Sequence, residues 1–231
     1  MGESFLPFGH AMTADSIPSA GAAVYGVIMN DRASLARLGE AASRPPYGGL
    51  PRAPALYLKP RNTWAWPGAT IVLPRGEDRV EVGAVVGLRL GRDAARLRPE
   101  SALGHVDACL LAADLSLPHE EYFRPAIRQK CFDGALPITG LAGLAPERLP
   151  DLVLRTRIDG RLADERALSD LVLGPARLLA AVTEFMTLRQ GDVLLTGVVY
   201  RSPIAAAGSG VRIEAPGLAE LEFALAAEGP A

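Results

Sequence analysis

The stretch from Ala112 to Pro137, AADLSLPHEEYFRPAIRQKCFDGALP, gathers side chains that can do acid/base and anion-binding chemistry. His119 and Glu121, with Glu120 between them, supply a proton-transferring pair. Arg124, Arg128 and Lys130 supply cations for the carboxylates of a di- or tricarboxylic acid, arginine through paired N–H bonds. Asp114 stands at the end of the apolar run Val106 to Ala113, where a strand delivers a carboxylate to its tip. Charged groups this dense between apolar runs are costly to bury and belong at a cleft. Blander readings stand beside these. His119 can be a solvated loop residue, Arg128 a surface cation, and Asp133 with Gly134 a turn.

The elements that must position this stretch are mostly strands. Val24 to Met29, Ala55 to Lys59, Thr70 to Leu73 and Val80 to Leu90 are rich in β-branched and aliphatic residues and read as strands. Gly83 and Gly87 within the last of these mark a bulge or a close approach to the backbone. Arg61 and Asn62 follow Lys59 at a strand-to-loop junction, where polar groups can face a ligand. Leu152 to Ile158 alternates, then meets the turn signal Asp159-Gly160. Val193 to Thr196, Val211 to Ala215 and Leu218 to Leu225 complete the strands.

Three helices are expected: Ser34 to Ala42, a short one opening at Pro99, and Pro175 to Met186. The last has proline at its first position and one apolar face, Leu178, Leu179, Val182, Phe185 and Met186. Ser43 to Pro54 is rich in proline and glycine and reads as a loop that can serve as a lid. Many strands, few short helices and no βαβ rhythm predict an α+β, β-rich single domain over residues 22–231, behind a flexible tail over residues 1–21. No internal repeat is present.

The totals exclude several classes. The chain has 231 residues, 49% of them hydrophobic, and a net charge of −2, which gives no electrostatic case for nucleic acid or a membrane surface. No apolar run reaches the roughly 18 residues a span requires. Cys109 and Cys131 are too few for a disulfide framework or a zinc site, and read as reduced thiols of a cytoplasmic protein.

The order Asp114, Arg124-Pro125, Lys130, Asp133-Gly134, Pro137 resembles the core of the fumarylacetoacetate hydrolase superfamily. Lys59 to Thr63 (KPRNT), the Gly83 to Arg92 strand, Ile158-Asp159-Gly160 and Phe185 to Gly197 (FMTLRQGDVLLTG) keep the family's order. Within it, KPRNT and the run Ser116 to Gly134 are similar to one branch. That branch is the amino-terminal half, or separate first subunit, of an isomerase/decarboxylase of homoprotocatechuate (4-hydroxyphenylacetate) breakdown.

The resemblance implies a mixed β-sheet roll, usually dimeric, or paired with a paralogous subunit. It implies decarboxylation of 5-oxopent-3-ene-1,2,5-tricarboxylate, isomerisation of 2-hydroxyhepta-2,4-diene-1,7-dioate, or both, through a metal-stabilised enolate. It also implies Lys130 facing substrate, with Lys59, Arg61 and Thr196 as further contacts. The alternative is a catalytically impaired subunit that pairs with an active paralogue.

The family's Mg²⁺ (or Mn²⁺) is held by a Glu-x-Glu on one strand face and a later Asp. Here the Asp is Asp114, but the glutamate positions read Gly83 and Val85. Two of three ligands are therefore absent. Glu81, two residues upstream on the same face, reaches that place only if the strand slips by two.

Overall fold

A computed structural model describes residues 21–45, 48–49, 55–119, 126–143 and 145–229. The expected tail, most of the proline- and glycine-rich loop, Glu120, Glu121 and Arg124 lie outside the described residues.

The centre is a pair of long antiparallel strands, β5 (Arg79–Leu90) and β6 (Val106–Ser116), in register from Glu81↔Ser116 to Arg89↔Ala108. Their sequences are apolar on both faces, which suits strands covered on both sides. One face, with Val82, Ala84, Val86, Leu111 and Ala113, enters the main core. The other, with Val85, Leu110 and Ala112, joins a second apolar cluster with Val24, Val193 and Leu195. Gly87 is in register rather than bulged, and a Cβ there would come within 2.8 Å of Leu110 and Val193. Close approach is therefore the role of that glycine.

Around this pair, in chain order, lie β1 (Val24–Ile28), α1 (Arg32–Leu38), β2 (Ala55–Leu58), β3 (Trp64–Ala65) and β4 (Thr70–Leu73). After β5 comes α2 (Pro99–Ala102); after β6 come α3 (Ile127–Lys130), β7 (Leu136–Pro137), β8 (Val153–Ile158) and β9 (Arg161–Ala167). Then follow α4 (Pro175–Thr183), β10 (Val193–Leu195), β11 (Ile204–Ala206), β12 (Gly210–Glu214) and β13 (Leu221–Ala227).

Among the described residues, one sheet runs β11-β5-β10-β1-β2, with β6 on the other edge of β5; a second runs β4-β13-β12-β8-β9. This mixed β-sheet roll with short helices is the expected α+β class.

Local chemistry explains most boundaries. Asp31 caps α1, its carboxylate accepting from the Ser34 amide at 2.7 Å. Asp159 (φ 51) and Gly160 (φ 76) form the two-residue turn between β8 and β9. Helix α4 ends at Thr183, short of the expected Met186, because the Arg96 amide donates to the Thr183 carbonyl and the Leu97 amide to its hydroxyl. β6 runs two residues past Asp114, so that carboxylate projects from within the sheet rather than from a strand tip.

Candidate active site

The second face of the β5/β6 pair changes character along its length. Val85 and Ala112 belong to the apolar cluster; beyond them stand Gly83 opposite Asp114, and Glu81 opposite Ser116. Residues two apart share a strand face, so Asp114, Ser116 and Glu81 point the same way. There the sheet meets α3, the end of β2 and the segment before β11.

Asp114 is fully buried and held by three side chains. Lys59 Nζ lies 2.5 Å from Oδ1, with neither side chain exposed. Lys130 Nζ donates to Oδ2 at 2.9 Å. The Tyr57 hydroxyl donates to the same oxygen.

Lys59 sits at the end of β2, and its ammonium donates to the carbonyls of Leu115 (3.1 Å), Lys130 (2.7 Å) and Ala135 (3.0 Å). These acceptors are what allow a lysine to be fully enclosed. Tyr57 reaches Asp114 by crossing Gly26, where any Cβ would overlap its ring. Asn62 closes the base of this arrangement, donating to the Cys131 carbonyl at 2.9 Å and to Asp133 at 2.8 Å. Asp133 thereby fixes the Cys131–Gly134 turn.

Burial alone would push the Asp114 carboxyl up; the Lys130 and Lys59 ammonium groups and the Tyr57 hydroxyl overcome this and hold it down at about 2. Burial draws Lys59 down to about 8, against the pull of the Asp114 charge. The pair is thus ionised at neutral pH. Tyr57 is raised, by burial first and then by the Asp114 charge.

Over this base lies a pocket of about 470 Å³. Its polar wall is formed by Lys130, Glu81, His119, Ser116, Tyr57 and Arg201. Ile28, Leu56 and Val198 supply apolar surface. Lys130 stands 4.9 Å from the Tyr57 ring centre, a cation–π contact that adds to its ion pair. His119 Nδ1 is 3.0 Å from the Leu117 carbonyl, which orients the ring.

Two lining residues, Met29 (φ 58) and Arg201 (φ 56), occupy the left-handed region without being glycine. Such a conformation costs roughly 1–2 kcal/mol per residue and is concentrated at functional sites.

The other residues read from the sequence fall outside this wall. Lys59 lies beneath it, paired with Asp114. Arg128 is exposed and pairs with Glu77 at 3.1 Å. Arg61 is exposed in the turn after β2. Thr196 is fully buried, and its hydroxyl has no hydrogen-bond partner among the described residues. Tyr57 and Arg201 enter the site without having been chosen from sequence, and the sequence offers Glu81 only as a carboxylate that a slipped strand could bring to an ion. Strand parity places Glu81 on the Asp114 face; nothing local in the sequence singles out the other two.

The donor set does not suit a hard divalent cation, which takes several oxygen ligands in near-octahedral array. The positions at which the resemblance expects glutamates are Gly83 and Val85. The Val198 side chain lies 3.1 Å from where a Gly83 Cβ would be, and Val85 is sealed in the apolar cluster. Both Asp114 oxygens already face ammonium groups. Among the described residues, no three His, Cys, Asp or Glu side chains converge on a common point.

The chain matches the fumarylacetoacetate (FAA) hydrolase C-terminal family over residues 23–226 and belongs to that family. It is 40% identical over 205 residues to the 4-hydroxyphenylacetate degradation bifunctional isomerase/decarboxylase of Salmonella dublin, covering 89% of this chain and 47% of that protein. It thus spans about half the length of this relative.

Two solved structures share the fold. One is 5-carboxymethyl-2-hydroxymuconate delta-isomerase from Mycobacterium smegmatis, with a TM-score of 0.76, 23% identity, and coverage of 93% of this chain and 83% of that one. The other is fumarylpyruvate hydrolase from Pseudomonas aeruginosa, solved with Mn²⁺ and pyruvate, with a TM-score of 0.76, 21% identity, and coverage of 98% and 100%. Among the described residues no helix is long and apolar enough to cross a membrane.

Proposed function

We propose that this chain is a subunit of an isomerase/decarboxylase of aromatic catabolism. Its substrate is an unsaturated oxo di- or tricarboxylate, with 2-hydroxyhepta-2,4-diene-1,7-dioate isomerised and 5-oxopent-3-ene-1,2,5-tricarboxylate decarboxylated. The observation that carries this reading is Lys130, an ammonium group fixed at the wall of the pocket by Asp114 and the Tyr57 ring. Both reactions pass through an enolate, and a fixed cation beside the developing oxyanion lowers that barrier without reorganising. Arg201 adds positive charge to the same pocket for a second carboxylate. The names of the family relatives support the substrate class.

No step here runs through a divalent ion. The Lys59–Lys130 pair around Asp114 supplies the fixed positive charge in its place. In this reading the chain acts as a homodimer or beside a paralogous subunit.

A second reading is favoured by Gly83 and Val85: a subunit that stabilises an active paralogue and turns nothing over. The test is turnover of both substrates by the purified chain and by Lys130→Met. The first reading expects turnover by the chain alone, with a loss of about a hundredfold or more in the variant, as for removal of an oxyanion donor. Turnover seen only after a paralogue is added, and unaffected by Lys130→Met, selects the second.

A further inference from the structure

Among the described residues lining the pocket, Glu81 is the one carboxyl group. Glu81 is on β5, opposite Ser116, and shares its strand face with Gly83, which stands opposite Asp114. Gly83 has no side chain, and the Val198 side chain packs over it.

Charged groups face Glu81 from every element around it: Lys130 from α3, Asp114 from β6 and Arg201 from the segment before β11. His119 and Tyr57 line the same pocket. Two of the lining residues hold strained backbone. A surface glutamate has no need of such surroundings.

We propose that Glu81 is a catalytic residue: its carboxyl group passes a proton to the carbon chain of a bound unsaturated 2-oxo acid while Lys130 holds the enolate oxygen. This rests on the isomerase reading above. For a 2-hydroxy-2,4-diene, the enol O–H proton leaves to water and Lys130 pairs with the oxygen. The electron pair of that O–H bond becomes the new C=O, the double bonds shift along the chain, and the far carbon takes the proton from Glu81. Water then returns a proton to Glu81. No oxidant, reductant or metal is needed.

Partial burial supports the role. It raises the Glu81 carboxyl, Lys130 and Arg201 lower it, and the nearby Asp114 charge adds to the rise. A carboxyl raised in this way carries a proton more often near neutrality than an exposed one.

The test is isomerisation of 2-hydroxyhepta-2,4-diene-1,7-dioate by the full chain, followed by loss of dienol absorbance and by deuterium incorporation at carbon in D₂O. Glu81→Gln keeps shape and removes the proton carrier. It should lower kcat by about a hundredfold or more with KM within about threefold, since general acid/base groups contribute on that scale. Glu81→Ala should regain activity with added formate. Substrate protection against thermal unfolding, measured on each variant, shows that the pocket still forms.

A Glu81→Gln variant with kcat within about threefold of wild type overturns the role assigned to Glu81, and leaves the isomerase reading standing. A wild-type chain that neither binds nor isomerises the dienedioate overturns both.

Discussion

Lys59 Nζ lies 2.5 Å from Asp114 Oδ1 with both side chains sealed from solvent, and its three N–H donors go to the main-chain carbonyls of Leu115, Lys130 and Ala135. This pair ties the end of β2 to the middle of β6 and to α3. It also holds one oxygen of the carboxylate that the resemblance assigns to a metal, while Lys130 holds the other. Removing Asp114 leaves the Lys59 charge buried without a counter-ion, and removing Lys59 takes one of two ammonium groups from the buried Asp114. Lys59→Met and Asp114→Asn should therefore each cost about 3–5 kcal/mol, measured by urea unfolding. The double variant should cost clearly less than the sum, since the two share one interaction.

Acid should unfold the protein through the same cluster. Asp114 titrates at about 2 in the folded chain, below the ~3.9 of an unfolded aspartate. A depressed carboxyl contributes stability that is complete above the unfolded value and is lost as pH falls toward the folded one. The window is therefore about pH 4 to 2, and the contribution is on the order of 2 kcal/mol. Unfolding free energy measured across that window should fall in wild type and lose this component in Asp114→Asn.

Gly26 is what lets Tyr57 lie across β1. Gly26→Ala places a methyl group in the Tyr57 ring and must displace it from Asp114. Overpacking of this kind costs about 1–3 kcal/mol. Tyr57→Phe removes one hydrogen bond to a charged acceptor, worth about 1.5–3 kcal/mol. If Gly26→Ala acts by displacing Tyr57, its effect should shrink in the Tyr57→Ala background, a double-mutant cycle read by denaturant unfolding.

Placing glutamates at Gly83 and Val85, where the resemblance expects them, should not create an ion site. Val85→Glu puts a carboxylate into the apolar cluster of Val24, Leu110, Val193 and Leu195, and Gly83→Glu meets Val198. The double variant should lose about 3 kcal/mol or more and bind Mn²⁺ no better than wild type by water-proton relaxation. Tight binding with retained stability would mean that the pocket relaxes in a way the packing of Val198 and Val85 argues against.

Much of this architecture is legible in the residues. The β-branched runs mark β1, β4 and β5, Pro175 opens α4, and Asp159-Gly160 announces the hairpin into β9. β9 itself, RLADERA, is hidden because charged residues fall on both faces, Arg161 and Glu165 exposed and Arg166 buried, and Leu162 is exposed, so no apolar alternation marks it. The site is less legible because its parts come from distant segments. The resemblance expects Lys59 at the substrate, and only Asp114 and the three carbonyls converging on its ammonium group place it beneath the pocket. Arg201 and Tyr57 reach the pocket through a strained turn and a glycine gap, neither of which leaves a local pattern. Glu81 is the exception: counting in twos from Gly83 puts it on the working face.

The most direct test of the account is the rate of dienedioate isomerisation by the purified chain in excess chelator and in millimolar Mg²⁺. The ammonium pair around Asp114 predicts the same rate in both, abolished by Lys130→Met. A rate that appears only with Mg²⁺, or only when a paralogue is added, would contradict it.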